Sequence, residues 1–340
     1  MKLREKSRSH KALRSLNTGI NNLRSYRASG DIHYLESANR EFNVALASDP
    51  GYLPALYFRS VTCDLLGDQD IAIDGLKQVL EAKPRFKEEV QLNLGVAYFH
   101  KYHREDLSTA KGIFEEIIRA SDSDPVMRLL AKSSLAQVWG QMMIQKDPEQ
   151  PDLVAVAEAF SNVQRLADEV HRSLSDAPPE YRPEILWRTE NALGLAEMFT
   201  SDYLGLHESV RGKLKRIDKA IEHFEKADHI SPHNWAILCN LGSAWMRRGY
   251  WMKKSDHLHE SSDSFQKAEG FLRQVLECVR HDYPFARYEV GRLLRLKNQY
   301  EAAIAEFNRC LSVPESQRDV SDETVLRERN RAGHRSDIFP

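Results

Sequence analysis

The sequence predicts an all-α solenoid of paired helices, and three observations carry that expectation. Every apolar stripe in the 340 residues has the helical period rather than the strand period. A triad of a small residue, a bulky ring or leucine four positions later, and an apolar residue seven positions later recurs along the chain. Between these triads lie segments in which a leucine or valine is followed by glycine or alanine.

Composition is compatible with this reading. The chain is 41% hydrophobic and 29% charged, enough for a core, and its net charge of −2 sets up no global field for nucleic acid or anionic lipid. No apolar run is long enough to span a bilayer, so no membrane association is expected. Four cysteines, Cys63, Cys239, Cys278 and Cys310, form no CxxC pair and no disulfide framework. They point to a reducing, cytoplasmic setting.

The first 30 residues hold eight Lys/Arg and a single acid, Glu5, as a transit peptide would. However, Leu13, Leu16, Ile20 and Leu23 recur at helical spacing, so a packed helix is expected from residue 12, after a basic extension over 1–11. The triad then appears at Ala38, Phe42 and Ala45, closed by Pro50, and returns 34 residues later at Ala72, Leu76, Val79 and Pro84. Further copies are Ala110, Phe114, Ile117; Ala220, Phe224, Ala227 with Pro232; Ala268, Leu272, Val275; and Ala303, Phe307, Cys310. Residues i, i+4 and i+7 share one helix face, and proline stops each unit because it cannot continue a helix.

The partner helices carry Leu94 with Gly95, Leu135 with Ala136, Leu193 with Gly194, Leu241 with Gly242, and Val290 with Gly291. Glycine costs a helix about 1 kcal/mol relative to alanine. Its recurrence at one phase implies a close helix crossing.

These residues resemble the tetratricopeptide repeat family, whose unit is a 34-residue helix–turn–helix. The resemblance covers about residues 12–315 and implies a right-handed superhelical solenoid. Departures are informative: Val290 to Ala303 is the regular 13 positions, whereas Leu193 to Ala220 and Leu241 to Ala268 are both 27. Each insertion of 14 residues equals about four helical turns, so the paired helices should lengthen and keep phase. Leu204, Leu206, Trp251 and Leu258 are expected outside the repeat core, and Asp147 to Asp152 forms a further loop. The proline run 176–183 reads as a joint between sub-solenoids at 12–175 and 184–315, and 316–340 as a charged tail, a solvated helix that frays.

No phosphate loop, zinc-protease or esterase motif is present, so neither catalysis nor a cofactor is expected. The thirteen histidines include no set with structural-metal spacing, so no metal is expected either. The resemblance implies instead a non-catalytic scaffold or adaptor that holds a partner protein or peptide on the inner wall built by the first helix of each unit, possibly regulating an enzyme. In that register the wall presents Tyr57, Phe58, Val61, Asn93 and Phe99, then Asn240, Arg247, Arg292 and Arg295. Asn93 and Asn240 match the middle position of the family's chaperone-tail clamp, but the flanking cations that the clamp requires are missing in both frames. The alternative is a nucleic-acid-binding repeat protein, using a basic face of Arg211, Lys213, Lys215, Arg216, Arg247, Arg248, Lys253 and Lys254 interleaved with Tyr250 and Trp251.

Overall fold

A computed structural model describes residues 2–101, 103–144, 151–203, 208–279, 283–315, 318 and 320–335. Among them the secondary structure is helical, without strands, and the chain divides into two compact units at Arg128/Leu129.

Unit 1 contains α1 (Lys2–Ser29), α2 (Ile32–Ser48), α3 (Leu53–Leu66), α4 (Gln69–Glu81), α5 (Lys87–His100) and α6 (Arg104–Arg119), packed as three consecutive antiparallel hairpins. The division falls inside α7 (Pro125–Met142). Unit 2 continues with α8 (Leu153–Ser173), α9 (Arg182–Asp202), α10 (Val210–Ile230), α11 (Trp235–Lys254), α12 (Leu258–Gln274), α13 (Pro284–Leu296), α14 (Tyr300–Leu311) and α15 (Asp322–Gly333). Here α9/α10, α11/α12 and α13/α14 are hairpins, and Lys132 ties α7 to α8 through Glu169 at 2.8 Å.

The recurring triad and the recurring glycine are two halves of one contact. The rings of Phe114, Phe224 and Phe307, all fully buried, lie flush against Gly95, Gly194 and Gly291. A Cβ at those glycines would stand 2.5 to 2.6 Å from a ring carbon, nearer than real Cβ atoms come. Phe42 meets Gly19 in the same way. Each ring contributes roughly 1.5–3 kcal/mol by leaving water, and it fits only because the partner helix lacks a side chain there. Helix ends follow local chemistry: Asp31, Asp152, Ser209, Asn234 and Ser321 accept backbone N–H bonds at N-termini. Gly67, with φ 96°, closes α3 in the left-handed conformation.

The insertions lengthen both arms of their hairpins. Helices α9 and α10 each run 21 residues, α11 runs 20 and α12 runs 17, against 13 and 12 for α13 and α14. Phase is kept. Gly242 meets Leu272, and two turns further out Gly249 meets Phe265, where a Cβ would lie 2.6 Å from the ring. Leu258 is 65% exposed, whereas Leu204 and Leu206 lie outside the described residues, as does most of the 147–152 loop.

Three expectations need correction. Leu13 is 46% exposed and Ala12 takes its inward place, because α1 already extends from Lys2 and its buried face runs through Ala12, Leu16 and Leu23. The proline run does not divide the chain. Ala177 is buried, and the Arg182 side chain donates to the carbonyls of Ala177 and Ser175, fastening that run inside unit 2. The helix expected in the charged tail is present but not solvated: α15 docks on α13 and α14 with Val325, Glu328 and Ala332 buried.

Candidate functional site

The inner face of each unit is built from first helices, which meet one another along their lengths: α1 with α3 and α3 with α5 in unit 1, and α9 with α11 and α11 with α13 in unit 2. On the α3–α5 wall, the Tyr57 hydroxyl donates to Glu89 Oε1 at 2.9 Å and accepts from Asn93 Nδ2 at 2.8 Å. Burial, reinforced by the Glu89 carboxylate, raises the Tyr57 phenol well above the usual tyrosine range and keeps its proton on. The second Asn93 contact, to the Glu89 carbonyl at 2.9 Å, fixes the amide on its own helix. Phe58 and Val61 are half-buried, as are Val96 and Tyr98 on α5. Phe58 also stacks on Phe42 at 5.9 Å and packs edge-on to Tyr57 at 5.1 Å, so it serves the interface between hairpins as well as the wall.

Two of the expected wall residues turn inward. Tyr57 is 6% exposed and Phe99 is 8% exposed, with Phe99 against the His100 ring. His100 Nδ1 in turn lies 2.9 Å from Asp64 on α3. Tyr98 faces α4, where Lys77 lies over its ring, so what this wall offers to a ligand is Phe58, Val61, Asn93 and Val96.

In unit 2 the expected wall residues are taken up by neighbouring first helices. Asn240 donates to Asn191 Oδ1 at 2.9 Å, linking α11 to α9. Arg247 pairs with Asp202 of α9 at 2.9 Å, both side chains under a tenth exposed. Ser243 donates to Glu289 of α13 at 2.8 Å. Arg292 pairs with Glu289 on its own helix at 2.9 Å, and Arg295 with Glu328 of α15 at 2.9 Å. Arg247, Arg292 and Arg295 are 6%, 4% and 0% exposed, so none presents its guanidinium to solvent as the sequence reading expected. The physical reason is a ladder of polar rungs, one set between each successive pair of first helices from α9 to α15. Around the last rung, burial opposes the Glu328 charge, but Arg292, Arg295 and Arg331 hold its carboxyl below the usual range.

The basic face is likewise committed. Lys213 is buried with its ammonium 4.2 Å from the Trp251 ring centroid, and desolvation lowers its pKa. Arg216 pairs with Glu208 at 3.0 Å and Glu197 at 3.2 Å, and Arg248 with Asp218 at 2.9 Å. Lys253 donates to the Leu296 carbonyl, and Lys254 lies over Tyr250. Arg211 and Lys215 are exposed.

Sequence reasoning missed two of the acids that answer these cations, Asp202 and Glu328. It also missed a node in which Glu190 of α9 takes His223 of α10 at 2.7 Å and faces His171 of α8 at 3.7 Å. Burial works against the Glu190 charge, yet hydrogen bonds to both imidazoles depress its carboxyl to about 2. Among the described residues no cluster of His, Cys, Asp and Glu could hold a metal, and no helix is long and apolar enough to cross a membrane.

Stacked antiparallel hairpins, glycine–ring contacts and inner walls made of first helices define a helical-repeat protein. Residues 286–317 match the family model of the tetratricopeptide repeat. The chain thus contains a tetratricopeptide repeat within a helical-repeat fold. Solved structures share the fold: the human IFIT1 dimer with m7Gppp-AAAA at TM-score 0.53 and 13% identity, covering 89% of this chain and 59% of that one. The human IFIT1 dimer with PPP-AAAA matches at TM-score 0.52 and 14% identity, over 89% of this chain and 60% of that one. A tetratricopeptide repeat protein from Parabacteroides merdae aligns at TM-score 0.44 and 10% identity, over 95% of this chain and 99% of that one. The chain thus spans about three fifths of the length of IFIT1. No curated protein is similar to it in sequence.

Proposed function

We propose that the chain is a non-catalytic scaffold that holds a partner protein or peptide on the α3–α5 wall. One contrast carries this reading. Four cations of the basic face, Lys213, Arg216, Arg247 and Arg248, are engaged by a ring or by carboxylates of the chain, whereas the α3–α5 wall leaves half-buried Phe58, Val61 and Val96 around a fixed amide at Asn93. Phosphate binding draws its free energy from cations that release counterions, and a cation already neutralised by a carboxylate has little to release. A partly exposed Phe58 with two valines beside an oriented amide suits a peptide, whose apolar side chains anchor while the amide reads its backbone. Buried free thiols at Cys63, Cys239 and Cys310 fit a reducing compartment, and we place the scaffold in the cytoplasm.

A photo-crosslinking residue at Val61 or Val96 should capture protein from the native host, and Phe58→Ala with Asn93→Ala should lose that capture. Equal capture from a crosslinker at exposed Ile71 on α4 would defeat the reading. The second reading is RNA binding, favoured by the likeness to IFIT1 solved with PPP-AAAA and by exposed Arg211 and Lys215. Anisotropy of a labelled 5′-triphosphate oligoadenylate, repeated at rising salt, decides it. Binding that weakens steeply with salt and is lost on Arg211→Glu with Lys215→Glu supports RNA.

A further inference from the structure

The polar cluster on the α3–α5 wall can be wired in only one way. The Tyr57 hydroxyl has a single hydrogen, and it is spent on Glu89 Oε1 at 2.9 Å. Burial and the Glu89 carboxylate keep that proton in place. Toward Asn93 the same oxygen can therefore only accept, and the Glu89 carbonyl on the second contact is an acceptor as well. Both amide hydrogens of Asn93 are used there, at 2.8 and 2.9 Å, so its Oδ1 is the end turned away from these partners.

What remains is all of one kind. Among the described residues Asn93 Oδ1 and Glu89 Oε2 have no partner; Asn93 is half-buried and Glu89 is exposed. The cluster thus presents acceptors, one of them charged, and no N–H or O–H to a ligand. Residues 89, 93 and 96 of α5 follow at i, i+4 and i+7, as do 57, 61 and 64 of α3, so these acceptors share an inner stripe with Val61 and Val96.

The cations nearby stand elsewhere. Lys87 lies two residues before Glu89, about 200° around the helix. Arg27, whose charge acts on Tyr57, belongs to α1, across α3 from α5. The far end of the stripe is closed on itself, where His100 Nδ1 lies 2.9 Å from Asp64. A ligand carboxylate would meet Glu89 and an amide oxygen, neither with a hydrogen to offer it, whereas a lysine or arginine brings donors to both. Complementarity of this kind sets which ligand is admitted more than how tightly it is held.

We propose that the α3–α5 wall selects a cationic peptide segment, a lysine or arginine beside an apolar side chain. The cation sits on Glu89 Oε2, a ligand N–H on Asn93 Oδ1, and the apolar side chain on Val61 and Val96. This rests on the scaffold reading and specifies the chemistry of the partner.

The probe is a displayed library of random short peptides, offered to the full chain with a photo-crosslinking residue at Val61. Captured peptides are sequenced, then synthesised with a fluorescein label for anisotropy against the unaltered chain. They should carry Lys or Arg next to an aliphatic or aromatic residue, and Glu89→Gln should weaken their binding about fivefold. That substitution keeps an oxygen for the Tyr57 hydroxyl and removes only the charge. Glu89→Lys should go further and favour the same peptides with their cation replaced by glutamate. Captured peptides that are uncharged or acidic, or affinities that Glu89→Gln leaves unchanged, overturn the selectivity while the scaffold reading stands. Capture of no peptide overturns both. The sequences are read on a chain with Glu89 in place, so they decide even if a variant fails to fold.

Discussion

The two units are made of the same hairpin and treat its inner face in opposite ways. In unit 1 the first helices α3 and α5 hold each other through one tyrosine, one amide and one histidine–aspartate pair, and leave apolar side chains half-exposed between them. In unit 2 the first helices are joined by almost wholly buried polar rungs, Arg247 with Asp202, Ser243 with Glu289 and Arg295 with Glu328. The glycine–ring contact that makes a hairpin is the same in both. What a repeat presents is therefore decided by a few positions on its first helix, independently of what makes it fold. A short apolar residue there leaves a wall open, and a charged one whose complement stands on the next first helix closes it.

The largest expected effect tests the closed wall. Arg247→Met strands the buried Asp202 carboxylate and should cost unit 2 about 3–5 kcal/mol in chemical denaturation. The matching change in unit 1, Tyr57→Phe, removes one hydroxyl between groups that keep other partners or water, and should cost about 1 kcal/mol. Equal losses would erase the distinction between the units.

Next in size is a change that ought to ignore the distinction. Gly95→Val and Gly291→Val each drive a side chain into a fully buried ring, Phe114 or Phe307, and each should lose roughly 1–3 kcal/mol by overpacking. A marked difference between the two melting curves would mean that the hairpin contact is not the shared unit.

The smallest effect concerns the Glu190 node in unit 2. The His171 pKa is raised above 6.5, chiefly by its hydrogen bond to Glu190. Its contribution to stability is thus complete below pH 6.5 and is lost as pH rises through the higher folded value. Glu190, depressed from 4.5 to about 2, contributes above pH 4.5 and loses that contribution as pH falls toward 2. The node therefore stabilises most between about pH 4.5 and 6.5. His171→Gln should lower the melting temperature more at pH 5.5 than at pH 8. The difference is modest because the imidazole is 41% exposed and screened by solvent. The same loss at both pH values would deny the node any role.

The hairpins were legible because their signal is local. A small residue, a ring four later and a glycine in the partner helix name both sides of one contact, and insertions of whole turns kept that phase, as Gly249 and Phe265 show. The inner wall was not legible for a related reason. Tyr57 and Asn93 are 36 residues apart, Arg247 and Asp202 are 45 apart, and Ser243 and Glu289 are 46 apart. A stripe on one helix shows that Arg247 or Arg295 points inward. It does not show whether a ligand or the next helix stands opposite. The docking of α15 escaped for another reason: its many charges masked the spacing of Val325, Glu328 and Ala332.

The rungs of unit 2 also bear on how the chain comes apart. A repeat array behaves as a row of units coupled to nearest neighbours, and its cooperativity follows the strength of that coupling relative to each unit's own stability. A buried arginine–carboxylate rung makes one hairpin's unfolding a penalty for the next, since half of an ion pair cannot remain behind in a dry interface. Such rungs tie α9 to α11 and α13 to α15, so those neighbours are bound to unfold together. In unit 1 the α3–α5 link is a tyrosine, an amide and a single histidine–aspartate pair instead, so its open wall is also the part of the chain better able to adjust its shape to what it holds.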